Sequence, residues 1–271
     1  MAVAFSGGPD STALLALARH AGLVVTAHHV DHGLRPTSGA EADQAAAIAV
    51  ALGCPIVVHR VAVAPGANLE ARARAARRAA LPAGAMTGHT ADDQAETVLL
   101  RLLRGAGAAG LAAIEPGPRH PLLGLRRAET HTVADAVTAV HGLSPVRDPS
   151  NDSPAHRRNR VRAEVVPLLA DVAARDVVPL LTRTADLLRA DEALLARLAA
   201  EIDPTDARAL AAADPALARR AVRGWLTVSG YPPDAAAVER VLGVARGDAL
   251  GCELNGGLRV TRSAQRLTLG N

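Results

Sequence analysis

Ser6-Gly7-Gly8-Pro9-Asp10-Ser11 stands between an apolar run, residues 2–5, and an alanine- and leucine-rich stretch, residues 11–20. The first reads as a strand and the second as a helix, so the hexapeptide is the turn where one becomes the other. Two glycines let the backbone come close to an anion. The helix start adds unpaired N–H groups and the positive end of the dipole. Ser6 and Ser11 add hydroxyl donors. Asp10 is the odd member, because a carboxylate repels phosphate unless a cation such as Mg2+ lies between them. The plainer alternative is a glycine-rich turn in which Asp10 only caps the helix. The whole hexapeptide at a strand-to-helix junction favours phosphate binding.

The same alternation continues outward. Residues 23–29 read as a strand, and Ser38 with Glu41 forms a capping box that opens a helix to about Leu52. Residues 56–61 read as a strand, 68–80 as a helix and 85–87 as a short strand. Thr90 opens a helix to about Arg104, which Gly105, Gly107 and Gly110 end, and residues 121–123 read as a final strand. This pattern predicts an α/β fold, a parallel sheet with helices on both faces. A ligand is expected beyond the carboxyl ends of the strands at the switch point. Residues 146–167 are rich in Pro, Asn, Asp and Arg, and residues 168–198 have helical spacing. Shorter helices are expected at 207–223 and 235–244, then a hairpin around Asn255-Gly256-Gly257. Three regions follow: a nucleotide-binding domain (1–150), a basic linker with a long helix (151–190) and a small, mainly helical C-terminal domain (191–271).

Composition removes several classes of function. All 30 basic Lys+Arg side chains are arginine, so neither Schiff-base chemistry nor a P-loop lysine is available. Cys54 and Cys252 are the only cysteines, too few for a disulfide framework or a zinc ribbon. Phe5, Trp225 and Tyr231 are the only aromatic residues besides histidine, so a row of base-stacking rings is not expected. No apolar run is long enough to span a bilayer, and residues 1–6 do not resemble a signal peptide. No membrane association and a cytoplasmic location are expected.

Three further stretches carry chemistry. His29-Val30-Asp31-His32-Gly33-Leu34-Arg35 leaves the second strand and reads as polar loop residues lining a nucleotide site, in preference to a metal cluster. In Gly88-His89-Thr90-Ala91-Asp92-Asp93-Gln94-Ala95-Glu96-Thr97, Asp93 and Glu96 share one helix face. A capping role accounts for Asp92 and Asp93 near the helix start, but not for the deeper Glu96. Arg157, Arg158, Arg160 and Arg162 crowd a helix start, where the dipole disfavours cations; a phosphate backbone would neutralise them. Arg72, Arg74, Arg77 and Arg78 have a commoner explanation as a solvated face.

These blocks together resemble the tRNA(Ile)-lysidine synthases of the PP-loop ATP α-pyrophosphatase superfamily. S-G-G-x-D-S resembles the PP-loop, and H-V-D-H-G-L-R-x-x-S-x-x-E is similar to a block of that family. So are N-L-E-A-R-A-R-A-A-R, G-H-T-A-D-D-Q-A-E-T with R-L-L-R-G and G-L, and D-P-S-N with R-N-R-V-R. Arg78 stands where the family usually has tyrosine. The match runs in ordered blocks from Ala2 to Leu169, and the remainder is similar to the family's first C-terminal domain, as in short members.

The resemblance implies a ligase that adenylates the wobble cytidine of a CAU-anticodon tRNA(Ile) with ATP and Mg2+, then joins free L-lysine to carbon 2. It implies ATP binding by Ser6, Gly7, Gly8, Pro9, Asp10 and Ser11, with Asp10 as the metal ligand. Asp10, His89, Asp93 and Glu96 become the catalytic set, with Asp93 and Glu96 holding the lysine ammonium or a metal. Arg74, Arg77, Arg104, Arg158, Arg160 and Arg162 become the tRNA contacts, and the C-terminal domain a tRNA-binding one. A homodimer is one assembly the sequence leaves open. A sulfur-inserting relative would need cysteine pairs, a small-molecule amidating ligase would lack the H-G-L-R and D-D-x-x-E-T blocks, and a plain RNA-binding module would not need Asp10.

Overall fold

The structure is a computed structural model that describes residues 1–33, 38–62, 66, 69–147, 153–230 and 233–270, with backbone alone at 69–71. Leu34, Arg35, Asn68, the Glu70 side chain, residues 148–151 and Tyr231 therefore lie outside the described residues. The chain divides into two compact units, Met1–Asp186 and Leu187–Asn271.

In the first unit, β1 (Ala2–Ala4), β2 (Thr26–Asp31) and β3 (Ile56–Arg60) form a parallel sheet in the order β1-β2-β3. Their register pairs Val3 with Ala27 and His29 with Val58. On the other side of β1, Met86 makes a parallel bridge to Val3, so the expected strand at 85–87 is reduced to one bridged residue. β1 thus lies between β2 and Met86. The chain's winding reverses there, and the turn after β1 opens at the switch point.

Helices α1 (Pro9–His20), α2 (Ser38–Ala51), α3 (Leu69–Ala80), α4 (Ala91–Leu102), α5 (Ala108–Leu111) and α6 (Arg127–Ala139) follow. α1 packs along α6, and α2 packs on β2 and β3. Val3, Phe5, Leu14, Leu15, Ala27, Ile48 and Ala134 are all at most 2% exposed and form one core. With few aromatics, this core closes by bringing alanine-rich helices near the sheet; Ala13, Ala45 and Ala49 are fully buried.

Two expectations are corrected here. Residues 121–123 are not a strand. Successive turns, Leu123 N to His120 O at 3.2 Å and Leu125 N to Leu122 O at 2.9 Å, carry them past Pro121 and Gly124 while Leu122 is buried. Just before this stretch, Arg119 O accepts from Thr87 N at 2.8 Å and His120 Nδ1 lies 2.7 Å from Thr87 Oγ1. The stretch that follows, left without an element in the sequence reading, forms α6.

After residue 153 come α7 (Arg157–Arg160), a π-helical turn (Val161–Val165), α8 (Val166–Ala173) and α9 (Val178–Ala200). The division between the units falls within α9.

The second unit holds α10 (Ala207–Ala212), α11 (Pro215–Val228) and α12 (Ala235–Arg246). It also holds an antiparallel sheet of β4 (Gly251–Glu253), β5 (Arg259–Ser263) and β6 (Arg266–Gly270), in the order β4-β5-β6. The single helix expected at 207–223 is broken, because Asp214 caps a new start and Pro215 occupies its first turn. Asp206 and Asp234 cap α10 and α12 in the same way. The hairpin around Asn255-Gly256-Gly257 is present as the β4–β5 connection, and a third strand is added through Ala264 and Gln265, both at positive φ. Val222, Leu226, Val238, Val241, Val260 and Leu267 fill this unit's core.

Candidate active site

The glycine-rich turn is closed by its own hydroxyls. Ser11 Oγ accepts from Ser6 N at 3.2 Å and donates to Gly8 O at 3.0 Å, and Thr12 Oγ1 donates to Gly7 O at 3.1 Å. Gly7 has φ +78°, and a Cβ there would lie 2.7 Å from Val146 Cγ2, so only glycine fits. Val146 N donates to Gly7 O at 2.8 Å, clamping the turn from the far end of the unit. Gly88 has a similar constraint, since a Cβ would come 2.7 Å from Asp10 O. The glycine before His89 thus lets the 85–90 segment pack against the start of α1.

Asp10 does not cap α1. Gly8 holds the cap position with no side-chain cap bond, and Asp10 Oδ1 accepts from Thr130 Oγ1 of α6. Arg127 Nε lies 3.9 Å from Asp10 Oδ2 and His131 Nε2 lies 3.7 Å from Oδ1. Burial pushes the Asp10 carboxyl above its usual value, against the pull of Thr130 and Arg127.

Asp93 does close a cap. Its Oδ2 accepts from Thr90 N at 2.9 Å and from Thr90 Oγ1 at 3.0 Å. Its other oxygen accepts from Arg127 Nη2 at 3.2 Å. Burial works to raise this carboxyl, but Arg127 and the Thr90 donors outweigh it and hold it below the usual value. Asp92 is structural. It accepts from Arg126 Nε and Nη2, each at 3.1 Å, and from Arg127 N at 2.8 Å, tying α4 to the start of α6.

Glu96 is 2% exposed, a position where a carboxylate needs partners. Arg127 Nη2 donates to its Oε1 at 3.0 Å, and Arg162 donates through Nε to Oε1 at 2.8 Å and through Nη2 to Oε2 at 3.3 Å. Arg158 Nε stands 3.7 Å from Oε2 and Arg158 Nη2 donates to Thr97 Oγ1 at 3.1 Å. Three carboxylates, Asp10, Asp93 and Glu96, are therefore matched by three arginines from α6, α7 and the π-helical turn.

His89 sits beside this cluster. Its Nδ1 is 2.7 Å from Thr87 Oγ1. Burial first, with His120, Arg158 and Arg74 adding to it, lowers its pKa to about 4 against the attraction of Asp93, so the ring is neutral at pH 7.

The six arginines expected at RNA are not in one setting. Arg158 and Arg162 lie on Glu96, whereas Arg160 pairs with Glu164 on the surface at 2.8 Å. Arg74, Arg77 and Arg104 are exposed. Arg74 is near enough to His89, and Arg77 to His29 and His32, to affect their protonation. In the His-rich stretch, His29 Nδ1 lies 3.0 Å from Phe5 O and His28 stacks on His59 at a centroid distance of 5.3 Å. Arg127, Thr130, Thr87 and His120 were not found by sequence reasoning. Their signal is mainly tertiary, since each meets at least one partner more than 30 residues away.

A PP-loop domain family matches residues 1–169, and a TilS substrate binding domain family matches residues 206–268. The chain is 46% identical over 294 aligned residues to a tRNA(Ile)-lysidine synthase of Nocardia farcinica, covering 99% of this chain and 91% of that protein. It is 46% identical over 243 residues to the one of Mycolicibacterium paratuberculosis, covering 84% and 74%. For that of Rhodococcus jostii the figures are 44% over 246 residues, 85% and 74%. The chain belongs to the tRNA(Ile)-lysidine synthase family.

Among solved structures, it is similar to the U34-tRNA thiolase NcsA from Methanococcus maripaludis with its 4Fe-4S cluster. The TM-score is 0.50 at 16% identity, covering 69% of this chain and 71% of that one, a likeness of fold. As a lysidine synthase family member the chain is an ATP-dependent ligase built on the PP-loop fold. Among the described residues no group of three or more His, Cys, Asp or Glu could hold a metal ion. A Mg2+ carried on nucleotide phosphates needs only one or two carboxylates. Asp10, at the turn and 28% exposed, fits that need, while Asp93 and Glu96 already accept from arginines. No helix among the described residues is long and apolar enough to cross a membrane.

Proposed function

We propose that this ligase joins free L-lysine to carbon 2 of the wobble cytidine of a tRNA(Ile) with a CAU anticodon, by way of an adenylated cytidine. The observation that carries this reading is the single cluster in which Arg127 links the Asp10 turn to the buried pair Asp93 and Glu96. A phosphate-binding turn and a cation-binding acid pair share one site, as a reaction between a nucleotide and an amine requires.

The turn from Ser6 to Ser11, with the free amides of the α1 start, receives the pyrophosphate end of ATP. Asp10 would hold Mg2+, which when bound supplies positive charge against the phosphates. The cytidine 2-oxo group attacks the α-phosphorus and pyrophosphate leaves. Asp93 and Glu96 then orient the lysine ε-amine, which attacks carbon 2 and expels AMP. Their charge is already matched, so the amine must either exchange with an arginine on Glu96 or arrive neutral. Neutral His89, beside Asp93, offers a ring nitrogen to the amine's proton, and its pKa of about 4 means that it passes a proton on and does not keep it. In this reading Arg74, Arg77, Arg104 and Arg160 contact tRNA phosphates, while Arg158 and Arg162 stay on Glu96.

The test is pyrophosphate and AMP release with tRNA transcripts carrying CAU or competing anticodons. Release that needs both CAU and lysine is expected. Equal release with ammonia or a sulfur donor would refute the reading.

A further inference from the structure

Thr87 Oγ1 lies 2.7 Å from Nδ1 of His89 and 2.7 Å from Nδ1 of His120, and the two Nδ1 atoms are 3.3 Å apart. The rings meet at 66° with centroids 5.1 Å apart. A hydroxyl carries one hydrogen. That hydrogen can go to one ring or to Arg119 O, which is farther away at 3.4 Å; when Thr87 donates to one ring at 2.7 Å it accepts from the other, and the two neutral imidazoles then hold opposite tautomers. Among the described residues neither Nε2 has a hydrogen-bond partner. The three groups therefore form a compact cluster with one open nitrogen on each ring.

The two rings face different surroundings. His89 is the more buried and faces Asp93, Arg158 and Arg74. His120 lies in the turns after α5, half-buried, facing Arg119 and Glu115. One ring is at the acid cluster and the other is at the rim.

We propose that Thr87 and His120 form a proton relay that carries a proton from His89 to solvent during the ligation step. This rests on the reading that His89 meets the reacting amine. When the amine nitrogen bonds to carbon 2, the carbon 2–oxygen bond breaks and AMP leaves with the electron pair, so the nitrogen must release a proton. His89 Nε2 takes that proton. His89 Nδ1–H passes its own to Thr87 Oγ1, whose hydrogen moves to His120 Nδ1, and His120 releases its Nε2 proton to water. No net charge stays in the site. Both tautomers end exchanged; before the next turnover His89 gives its Nε2 proton to water, His120 Nε2 takes one from water, and the same three groups shift their protons back. A positively charged His89 would face Arg158 and Arg74; the relay avoids forming it for long.

The experiment compares the full chain with Thr87→Val, Thr87→Ser and His120→Ala in the presence of ATP, CAU tRNA and lysine. It follows the pyrophosphate burst, lysine-dependent AMP release, the KM for lysine, and the effect of added imidazole. Thr87→Val and His120→Ala are expected to lower kcat about 10- to 100-fold, the lower range for a proton-transfer group. The burst and the KM should stay the same, and imidazole should restore turnover. Thr87→Ser, which keeps the hydroxyl, should behave like the original chain. An unchanged kcat in Thr87→Val and His120→Ala would overturn the relay. So would a loss that imidazole does not restore, because the cluster would then only brace the turns after α5. A wild-type chain that releases no AMP in response to lysine would overturn the ligase reading itself, and the relay with it.

Discussion

Arg127 Nη2 donates to Glu96 Oε1 at 3.0 Å across 31 residues of sequence, and Glu96 is 2% exposed. Breaking a buried pair from one side leaves an uncompensated charge and costs about 3–5 kcal/mol. Arg162 remains bonded to Glu96, so Arg127→Met is expected to lose somewhat less, roughly 2–3 kcal/mol. Urea unfolding measures it. A cycle with Glu96→Gln should show a coupling of about 1–3 kcal/mol. Independent, additive losses would mean that the pair is incidental to the fold.

Asp10 predicts the opposite sign. Burial raises its folded-state pKa above the ordinary 3.8. The folded state then binds more protons than the unfolded one, so stability falls as pH rises from 3.8 through the raised value. Asp10→Asn removes that cost while keeping an oxygen for Thr130 Oγ1. It is expected to hold or raise the Tm at neutral pH without nucleotide, while abolishing tRNA-dependent pyrophosphate release. A variant that loses Tm but keeps release would return Asp10 to a structural role.

The contrast between Glu96 and Asp10 also marks what the sequence made legible. The turn at Ser6 to Ser11 was readable because glycines, hydroxyls and a helix start are all local. Asp93 was readable as a cap because Thr90 is three residues away. Arg127 was not, because nothing near it in sequence indicates that it reaches back to α4. The helix that carries it, Arg127–Ala139, was missed because its alanines and threonines give no clear apolar stripe. The four-arginine cluster was legible as unusual, but the explanation of Arg158 and Arg162 lay in Glu96, 66 residues earlier than Arg162. The break at Asp214 was visible only as cap chemistry inside a helical pattern.

His89 makes stability depend on pH in mildly acidic solution. Its pKa falls from 6.5 to about 4 on folding, chiefly through burial. Between those values the unfolded chain binds the extra proton, so stability is full above 6.5 and falls as pH drops toward 4. The shift corresponds to about 3 kcal/mol at most. His89→Gln should flatten the stability profile over that window, read by urea unfolding at a series of pH values. A profile of unchanged slope would place the acid sensitivity in other groups, such as His29 and His32.

The arginines after residue 156 separate two roles that composition alone merges. Each phosphate neutralised by an arginine adds about 0.9 to the slope of log affinity against log salt on a duplex. If Arg158, Arg160 and Arg162 all met phosphate, replacing them together by glutamine would flatten the slope by about three units. In the structure, Arg162 bonds both oxygens of Glu96 and Arg158 stands 3.7 Å from one of them, while Arg160 pairs, among the described residues, with surface Glu164. A surface pair holds its partner weakly, and a phosphate displaces Glu164 at little cost. Arg160→Gln is therefore expected to flatten the tRNA salt slope by about one unit and leave lysine-dependent turnover at saturating tRNA unchanged. Arg158→Gln and Arg162→Gln should leave the slope nearly unchanged, while lowering thermal stability and altering the KM for lysine by unbalancing Glu96. Filter retention across a salt series and steady-state turnover measure the two effects. A three-unit loss in the triple variant would mean that tRNA draws Arg158 and Arg162 off Glu96 when it binds, which would free that carboxylate for the lysine ammonium at the same moment.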